Sequence, residues 1–234
     1  MAIGKAIRRS LGWLLAIGFT LFVGYEVYLL GSVYWLRSHN PPSTAFINAE
    51  RQRLSELKPA VRIRQTWVPY AAISVHAKRA VVAAEDSGFV DHEGFDWEAL
   101  EKAARDNLEK GKIRRGGSTI SMQLAKNLFL SADRTLLRKG QEFLITGMLE
   151  AVLDKRRILE IYLNVAEWGV GVFGIEAAAQ HYFGISASAL SQEQAAWLAS
   201  ILPAPRRYDR NRGSTFIQSK AQTIMARMPL VRVP

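Results

Sequence analysis

Residue types suited to holding an anion are concentrated at residues 115–127, Arg-Gly-Gly-Ser-Thr-Ile-Ser-Met-Gln-Leu-Ala-Lys-Asn. The two glycines let backbone approach a ligand closely, and Ser118 is a favourable helix N-cap. Ile120, Leu124 and Leu128 follow at the spacing of one helix face. A helix N terminus behind a glycine turn, with basic residues on both sides, is a suitable phosphate site. The same run also fits an ordinary capped helix.

Two acidic segments could supply the carboxylates of a reaction. Glu85 and Asp86 follow an apolar helical run, and a carboxylate in that position can have the raised pKa of a general acid or base. An isolated acidic pair near a helix end is also typical of a protein surface. His92 lies nearby, but no second histidine at metal-ligand spacing supports a metal site.

The second acidic segment is Arg138-Lys139-Gly140-Gln141-Glu142. Glu142 follows Arg138 by four residues and Lys139 by three, so the three side chains are neighbours on a helix. They form either a routine ion pair or an acidic group beside a phosphate-binding patch. Two carboxylates from different segments are typical of glycosyl chemistry.

Charge is distributed unevenly along the 234 residues, whose formal net charge is +10. Residues 105–139 contain nine basic and three acidic residues, around the Gly-Gly-Ser-Thr run. Such a patch suits a pyrophosphate or anionic lipid headgroups better than nucleic acid if the domain lies outside the membrane. A solvated basic face is the alternative for Lys110 and Lys112. There is no cysteine, which excludes disulfides and thiolate metal sites.

The N-terminal segment predicts a membrane anchor. Basic residues precede Leu11–Leu36, 26 residues whose only charge is Glu26, and this length is ample to cross a hydrocarbon core of roughly 30 Å. The basic flank predicts a cytoplasmic N terminus. A cleaved signal peptide is the alternative, but the run is long and no clear cleavage site follows it. Glu26 either marks the end of a shorter span or faces a partner.

The remaining pattern is mainly helical. Asp96 is a candidate N-cap, residues 135–153 predict a long helix, Ser191 with Gln194 predicts a capping box, and Ile217 to Met228 predict a final amphipathic helix. Residues 61–68 are the best candidate strand, and the glycines of residues 169–174 suggest a tight loop between two helices. We expect a basic N terminus at residues 1–10, an anchor at 11–36, a linker at 37–50 and one mainly α domain at 51–234.

Four segments together resemble glycosyltransferase family 51, the domain that polymerises peptidoglycan glycan strands. They match Glu-Asp-x-x-Phe-x-x-His-x-Gly at residues 85–94, Gly-Gly-Ser-Thr-Ile-x-x-Gln-x-x-Lys-Asn at 116–127, Arg-Lys-x-x-Glu at 138–142, and Lys-x-x-Ile-Leu-Glu-x-Tyr-Leu-Asn at 155–164. Each motif is weak alone, but the four in order are specific. The resemblance covers roughly residues 70–210. Ser121 and Met122 stand where Thr and Gln are common. The chain is too short for the transpeptidase domain of most relatives, so it resembles the monofunctional members.

The resemblance implies a lysozyme-like helical fold with a small membrane-associated lobe, and an inverting transfer from a lipid-pyrophosphate donor. It makes Glu85 the general base and Glu142 the second essential carboxylate. The implied substrate-binding and pyrophosphate-binding residues are Arg115, Ser118, Thr119, Gln123, Lys126, Arg134, Arg138 and Lys139.

The same resemblance implies lipid II and undecaprenyl-pyrophosphate-linked glycan as substrates, and other cell-wall synthesis proteins as further partners. It leaves two roles open for Glu142, which either helps indirectly to hold a divalent cation, Mg²⁺ or Mn²⁺, at the pyrophosphate or orients the basic residues. No organic cofactor and no nucleic acid are expected. The expected location is the bacterial cytoplasmic (inner) membrane, with the catalytic domain in the periplasm. A lytic enzyme that cleaves glycan and a non-catalytic membrane scaffold are the rival hypotheses.

Overall fold

The computed structural model describes residues 2–57, 62–110, 117–131, 133 and 135–234, and most of them are helical. The expected mainly α fold is therefore confirmed. The helices of these ranges are α1 (Ala2–Trp35), α2 (Ala45–Leu57), α3 (Val75–Glu85), α4 (Trp97–Lys110), α5 (Ile120–Phe129), α6 (Leu136–Val152), α7 (Lys155–Val165), α8 (Ile175–Phe183), α9 (Gln192–Ile201), α10 (Pro205–Asp209) and α11 (Thr215–Arg227).

The N-terminal helix α1 is unbroken, and its segment Ser10–Trp35 is long and apolar enough to cross a membrane. Most side chains of this segment are exposed, as expected for residues that face lipid. Leu29 and Val33 are exceptions, because together with Leu36 they are buried in the hydrophobic core of the domain. The C-terminal end of α1 is therefore packed against the rest of the protein.

Glu26 faces a partner within the chain. The side-chain amide of Gln141 on α6 donates a hydrogen bond of 2.8 Å to Oε1 of Glu26. Helix α6 thus lies beside α1 at the position of Glu26. This contact corresponds to the expectation that Glu26 faces a partner.

Capping side chains set the start of several helices. Oδ1 of Asp96 accepts a hydrogen bond from the amide of Ala99 at 2.8 Å, and Ser191 with Gln194 forms the predicted capping box. The cap of α5 is Thr119, not Ser118: its hydroxyl accepts from the amide of Met122 and donates to the carbonyl of Gly94. The second bond ties Thr119 to another segment, which explains why the helix begins one residue later than predicted.

Two groups of helices make up the domain. Helices α3, α9 and α11 pack together in one group, and α5, α6 and α7 pack together in the other. Large side chains that are almost completely buried, among them Trp168, Tyr162 and Phe89, fill the core. The predicted face of α5 is confirmed, because Ile120, Leu124 and Leu128 are all buried. The C terminus of α3 meets the N terminus of α5 where the two groups join.

A small three-stranded sheet completes the fold, with strands β1 (Arg64–Gln65), β2 (Glu167–Gly169) and β3 (Val172–Phe173) in the order β1-β3-β2. Strand β1 pairs parallel with β3, and β2 pairs antiparallel with it. The predicted strand at 61–68 is thus shortened to two residues, with Val61 outside the described ranges. The glycine segment forms a hairpin, not a plain loop, because β2 and β3 pair antiparallel across its turn.

Candidate active site

Glu85 is the last residue of α3 and is partly buried. Burial raises the pKa of its carboxyl group above the ordinary value of 4.5, against the opposing influences of a hydrogen bond from Gln123 and the charges of Lys220 and Lys126. The bond runs from Nε2 of Gln123 on α5 to Oε2 of Glu85 over 2.8 Å. Glu85 therefore has the environment of a general base, with a donor that orients it.

Tyr162 fixes the orientation of that donor. Its hydroxyl donates a hydrogen bond of 2.8 Å to Oε1 of Gln123, so the amide nitrogen of Gln123 is directed at Glu85. Tyr162 is 1% exposed, and burial raises its pKa well above 10, which keeps it a donor. The sequence analysis did not assign this residue a role in the site.

Asp86 joins the two helix ends. Its Oδ2 accepts a hydrogen bond from the backbone amide of Ile120 at 3.0 Å, and its Oδ1 lies 2.8 Å from Nε2 of His92. The neighbouring Asp86 carboxylate raises the pKa of His92, mainly through this bond. His92 is therefore a structural hydrogen-bonding residue that holds Asp86 at the start of α5.

Two backbone amides at the N terminus of α5 already have partners within the chain. The amide of Ile120 is used by Asp86 and that of Met122 by Thr119. Gly117 also serves packing, because a Cβ there would lie 2.9 Å from Cα of Leu100 on α4. These two amides are therefore not free for the phosphate that the sequence pattern predicts at this helix end.

Basic side chains of α5 and α6 are candidates for binding an anion. Arg138 and Lys139 each contact one oxygen of Glu142, at 2.5 Å, and the Glu142 side chain is 4% exposed. Nε of Arg138 is buried without a hydrogen-bond partner among the described residues. Burial lowers the pKa of Lys126, whereas the charges of Glu142 and Glu85 raise it. We call Lys126, Arg138, Lys139 and Glu142 the cationic cluster.

A cleft of about 160 Å³ opens beside Glu85. Ser118 lines it together with Glu85, so these two predicted site residues are brought together. Arg227 of α11 also lines it. Thr119 is part of the lining but is 2% exposed, with its hydroxyl used within the chain. Arg115 and Arg134 lie outside the described residues.

Lys220 on α11 is a second residue that the sequence analysis missed. Burial lowers the pKa of Lys220, and the charge of Glu85 raises it. Its Nζ donates a hydrogen bond of 3.4 Å to the carbonyl of Ser200 on α9. Lys220 lies three residues after the buried Ile217 and one before the buried Ala221. The signal available in the sequence was a lysine beside the apolar face of an amphipathic helix.

The donors around Glu142 do not fit a metal ion bound by the protein alone. Both Glu142 oxygens contact cationic side chains. In the part of the chain that the structure describes, no group of three His, Asp or Glu side chains is placed to hold a metal. A cation at this place would need the substrate for most of its ligands.

Comparison with known proteins places the chain in a family. The Transglycosylase family model matches residues 50–229. The chain is 50% identical to a biosynthetic peptidoglycan transglycosylase of Janthinobacterium sp. (strain Marseille), over 98% of this chain and 100% of that protein. It is 53% identical to a protein of the same description from Azoarcus sp. (strain BH72), over 98% and 99% of the two chains. The four ordered motifs and this similarity agree: the chain belongs to the Transglycosylase family.

Proposed function

We propose that this chain is a peptidoglycan glycosyltransferase that polymerises lipid II into β-1,4-linked glycan strands and releases undecaprenyl pyrophosphate, in cell wall biogenesis and the maintenance of cell shape. The observation that carries the proposal is the pairing of Glu85, a carboxylate with a raised pKa, with the cationic cluster. The first is suited to remove a proton from a hydroxyl, and the second to hold a pyrophosphate leaving group.

In this reaction Glu85 takes the proton of the 4-hydroxyl of the lipid II acceptor. The oxygen forms a bond to the anomeric carbon of the donor glycan, and the bond from that carbon to the pyrophosphate oxygen breaks. The electron pair leaves with the lipid pyrophosphate. A single displacement turns the α-linked donor into a β-linked product. A positioned general base contributes about 10²–10⁴-fold to the rate.

The cationic cluster acts on the leaving group. Lys126 and Arg138 carry the donors directed at it, and Glu142 positions Arg138 and Lys139 by binding both. Stabilisation of the charge that develops in the transition state commonly contributes more to such catalysis than any other single effect. Ser118 and Gln123 contact the donor side in this proposal, with Thr119 supporting them. Arg115 and Arg134 complete the predicted set.

The anchor confines the enzyme to the surface where its substrates reside. The basic N terminus is expected in the cytoplasm and the domain in the periplasm. Substrate and enzyme then meet within a plane, which raises their effective concentration. Other cell-wall synthesis proteins are the expected neighbours in that membrane. A divalent cation, bound mainly by the substrate, stays a prediction.

Two rival functions are less well supported. A lytic enzyme would also use a buried carboxylate, but cleavage of a neutral glycan has no need of the cationic cluster. A non-catalytic scaffold would keep basic residues for lipid, but has no need of a carboxylate oriented by Gln123 and Tyr162.

The test is polymerisation of lipid II by the purified full-length protein, followed on a gel that resolves glycan strands. Wild type is compared with Glu85→Gln and with Glu101→Gln, whose ion pair with Arg105 is exposed. We expect strands from wild type and Glu101→Gln and none from Glu85→Gln. Strands from all three would reject Glu85 as the base. A folded wild type that makes no strands would reject the polymerase, and loss of added glycan would support the lytic enzyme.

A further inference from the structure

A polar cavity of about 480 Å³ lies where the end of α1 meets the junction of α6 and α7. Its lining consists of Arg37, which follows α1, of residues 151–154 at the end of α6, and of Arg157 on α7. It shares no residue with the cleft beside Glu85 and contains no member of the cationic cluster. The proposed reaction therefore leaves this cavity without a role.

The cavity lies at the level of a membrane surface. The segment Ser10–Trp35 is long and apolar enough to cross a membrane, and Arg37 follows it in a turn whose amide donates to the carbonyl of Tyr34 at 3.1 Å. Tyr34 and Trp35 are exposed, and aromatic side chains of this kind favour the interface between hydrocarbon and water. When the chain is in a membrane, phospholipid headgroups therefore surround the cavity.

Arg157 forms a fixed wall of the cavity. Its Nε donates to the carbonyl of Leu36 at 2.9 Å, and one Nη donates to the carbonyl of His39 at 2.7 Å. The other Nη donates to Glu160 at 2.7 Å. This guanidinium group is thus engaged within the chain, and its bonds hold the segment that carries Arg37 against α7.

Arg37 is the cation that this arrangement leaves for a ligand. Among the described residues its guanidinium group forms no hydrogen bond and no ion pair, and its Cζ lies 5.4 Å from the ring centre of Tyr34. The Arg37 side chain is exposed at the cavity. A guanidinium group binds phosphate through two parallel N–H donors. The α1 side of the cavity is therefore suited to a phosphate.

The α6 side of the cavity is electronegative. Helix α6 ends at Val152, so the carbonyl groups of its last turn form the negative end of the helix dipole there. Oδ1 of Asp154 accepts a hydrogen bond of 2.7 Å from the amide of Arg157 as the cap of α7, whereas its Oδ2 has no partner among the described residues. A free carboxylate oxygen beside helix carbonyls favours an ammonium group.

We propose that this cavity binds the headgroup of phosphatidylethanolamine, with the phosphate at Arg37 and the ammonium group at Asp154 and the carbonyl end of α6. The ligand is a zwitterion because the cavity has one cationic and one electronegative side. Phosphatidylglycerol carries the phosphate but no ammonium group, so it would use only the Arg37 side. A headgroup bound here joins the end of α1 to α6, and it fixes the domain relative to the membrane surface.

The first experiment measures lipid binding by the full-length protein. The protein in detergent micelles is titrated with phosphatidylethanolamine or with phosphatidylglycerol of the same acyl chains, and bound lipid is counted by native mass spectrometry. Arg37→Gln removes the cation, and Asp154→Asn removes the negative charge but keeps a good N-cap for α7. Arg79→Gln is the matched control, because Arg79 is an exposed arginine of α3 that does not line the cavity.

We expect wild type and Arg79→Gln to bind phosphatidylethanolamine about tenfold more tightly than phosphatidylglycerol. Arg37→Gln should weaken binding of phosphatidylethanolamine by about tenfold, and Asp154→Asn should reduce its affinity to that for phosphatidylglycerol. Equal affinity of wild type for the two lipids would overturn the inference. Unchanged binding of phosphatidylethanolamine by Arg37→Gln would overturn it as well.

A second measurement distinguishes the lipid headgroup from a free anion. Soluble glycerophosphoethanolamine and inorganic phosphate compete with bound phosphatidylethanolamine, and we expect the first to displace it at the lower concentration. Equal displacement by both would indicate a simple anion site and contradict the inference.

The unfolding temperature of each lipid-free variant provides the control for folding. We expect Arg37→Gln to unfold at the temperature of wild type. If it unfolds at a lower temperature, Asp154→Asn decides: loss of its lipid preference supports the inference, and a retained preference overturns it.

Discussion

The side chain of Gln123 links Tyr162 and Glu85 in a fixed direction: the buried hydroxyl donates to Oε1 of Gln123, and Nε2 of Gln123 donates to the carboxylate. Because an amide oxygen cannot donate to an ionised carboxylate, turning the Gln123 amide around would lose its bond to Glu85. The carboxylate of the proposed base is thus oriented from the core of the protein.

The pH dependence of activity follows from two shifted groups. Glu85 must be ionised to act as a base, and its raised pKa means that activity is lost, as pH falls, already above the ordinary glutamate value of 4.5. Lys126 must be charged, and its lowered pKa means that activity is lost, as pH rises, below the ordinary lysine value of 10.5. The measurement is kcat/KM for lipid II against pH. An acidic limb in the ordinary glutamate range would contradict the assignment of Glu85.

Tyr162→Phe should move the acidic limb further up in pH. Without the hydroxyl, Gln123 loses the bond that directs its amide nitrogen at Glu85, and that nitrogen is one of the influences that lower the Glu85 pKa. The unsatisfied Oε1 should also cost about 1–3 kcal/mol of stability. The pH profile and thermal unfolding check both effects, with Tyr208→Phe on α10 as control. A destabilised variant with an unmoved acidic limb would show that the tyrosine only supports packing.

Glu142→Gln should lower both stability and activity. The neutral amide leaves Arg138 and Lys139 without their carboxylate partner, which should cost on the order of 2 kcal/mol because Glu142 and Arg138 are largely buried. Since both cations lose their position, kcat should fall by about 10²-fold or more. Denaturant unfolding and strand synthesis are compared with Glu101→Gln, which disturbs only an exposed pair. Full activity in Glu142→Gln would remove the cluster from the mechanism.

Two glycines give a matched test of the hairpin. Both Gly174 (φ +80°) and Gly184 (φ +68°) have a positive φ. Gly184 is left-handed helical, which costs another residue about 1–2 kcal/mol, and Gly174, with ψ 152°, lies in a region that is almost restricted to glycine. A Cβ at Gly174 would also lie 2.6 Å from the carbonyl oxygen of Asn164, whereas Gly184 is open. Gly174→Ala should therefore be the more destabilising change in denaturant unfolding. Equal effects would mean that the contact with Asn164 relaxes at little cost.

Chelation should distinguish a metal ion bound by the protein from one bound by the substrate. Because the described residues form no metal cluster, EDTA should leave the unfolding temperature of the substrate-free protein unchanged. If a cation bound by the pyrophosphate assists the reaction, EDTA lowers kcat/KM and added Mg²⁺ or Mn²⁺ restores it. A lower unfolding temperature in EDTA without substrate would indicate a resident metal instead.

Features encoded by near neighbours were predictable from the sequence. The apolar N-terminal helix, the long helix starting near residue 135 and the capping box of Ser191 with Gln194 each depend on residues within a few turns of each other. The family motifs could also be recognised from the sequence, because each motif lies within one continuous segment with fixed spacing. Sequence therefore determined the mainly α class, a helix long and apolar enough to cross a membrane, and the residue types available for the reaction.

Only the tertiary structure decided how those residues are used. Gln123 and Glu85 are 38 residues apart in the sequence, and Gln141 and Glu26 are 115 residues apart. Local periodicity therefore predicts neither hydrogen bond. Asp86 accepts a hydrogen bond from a helix amide that the sequence pattern suggested for phosphate. Thr119, not Ser118, is the cap, and its hydroxyl also donates to the carbonyl of Gly94. Which of several locally possible hydrogen bonds a side chain forms depends on partners that are distant in the sequence. Only packing of the folded chain brings those partners within reach.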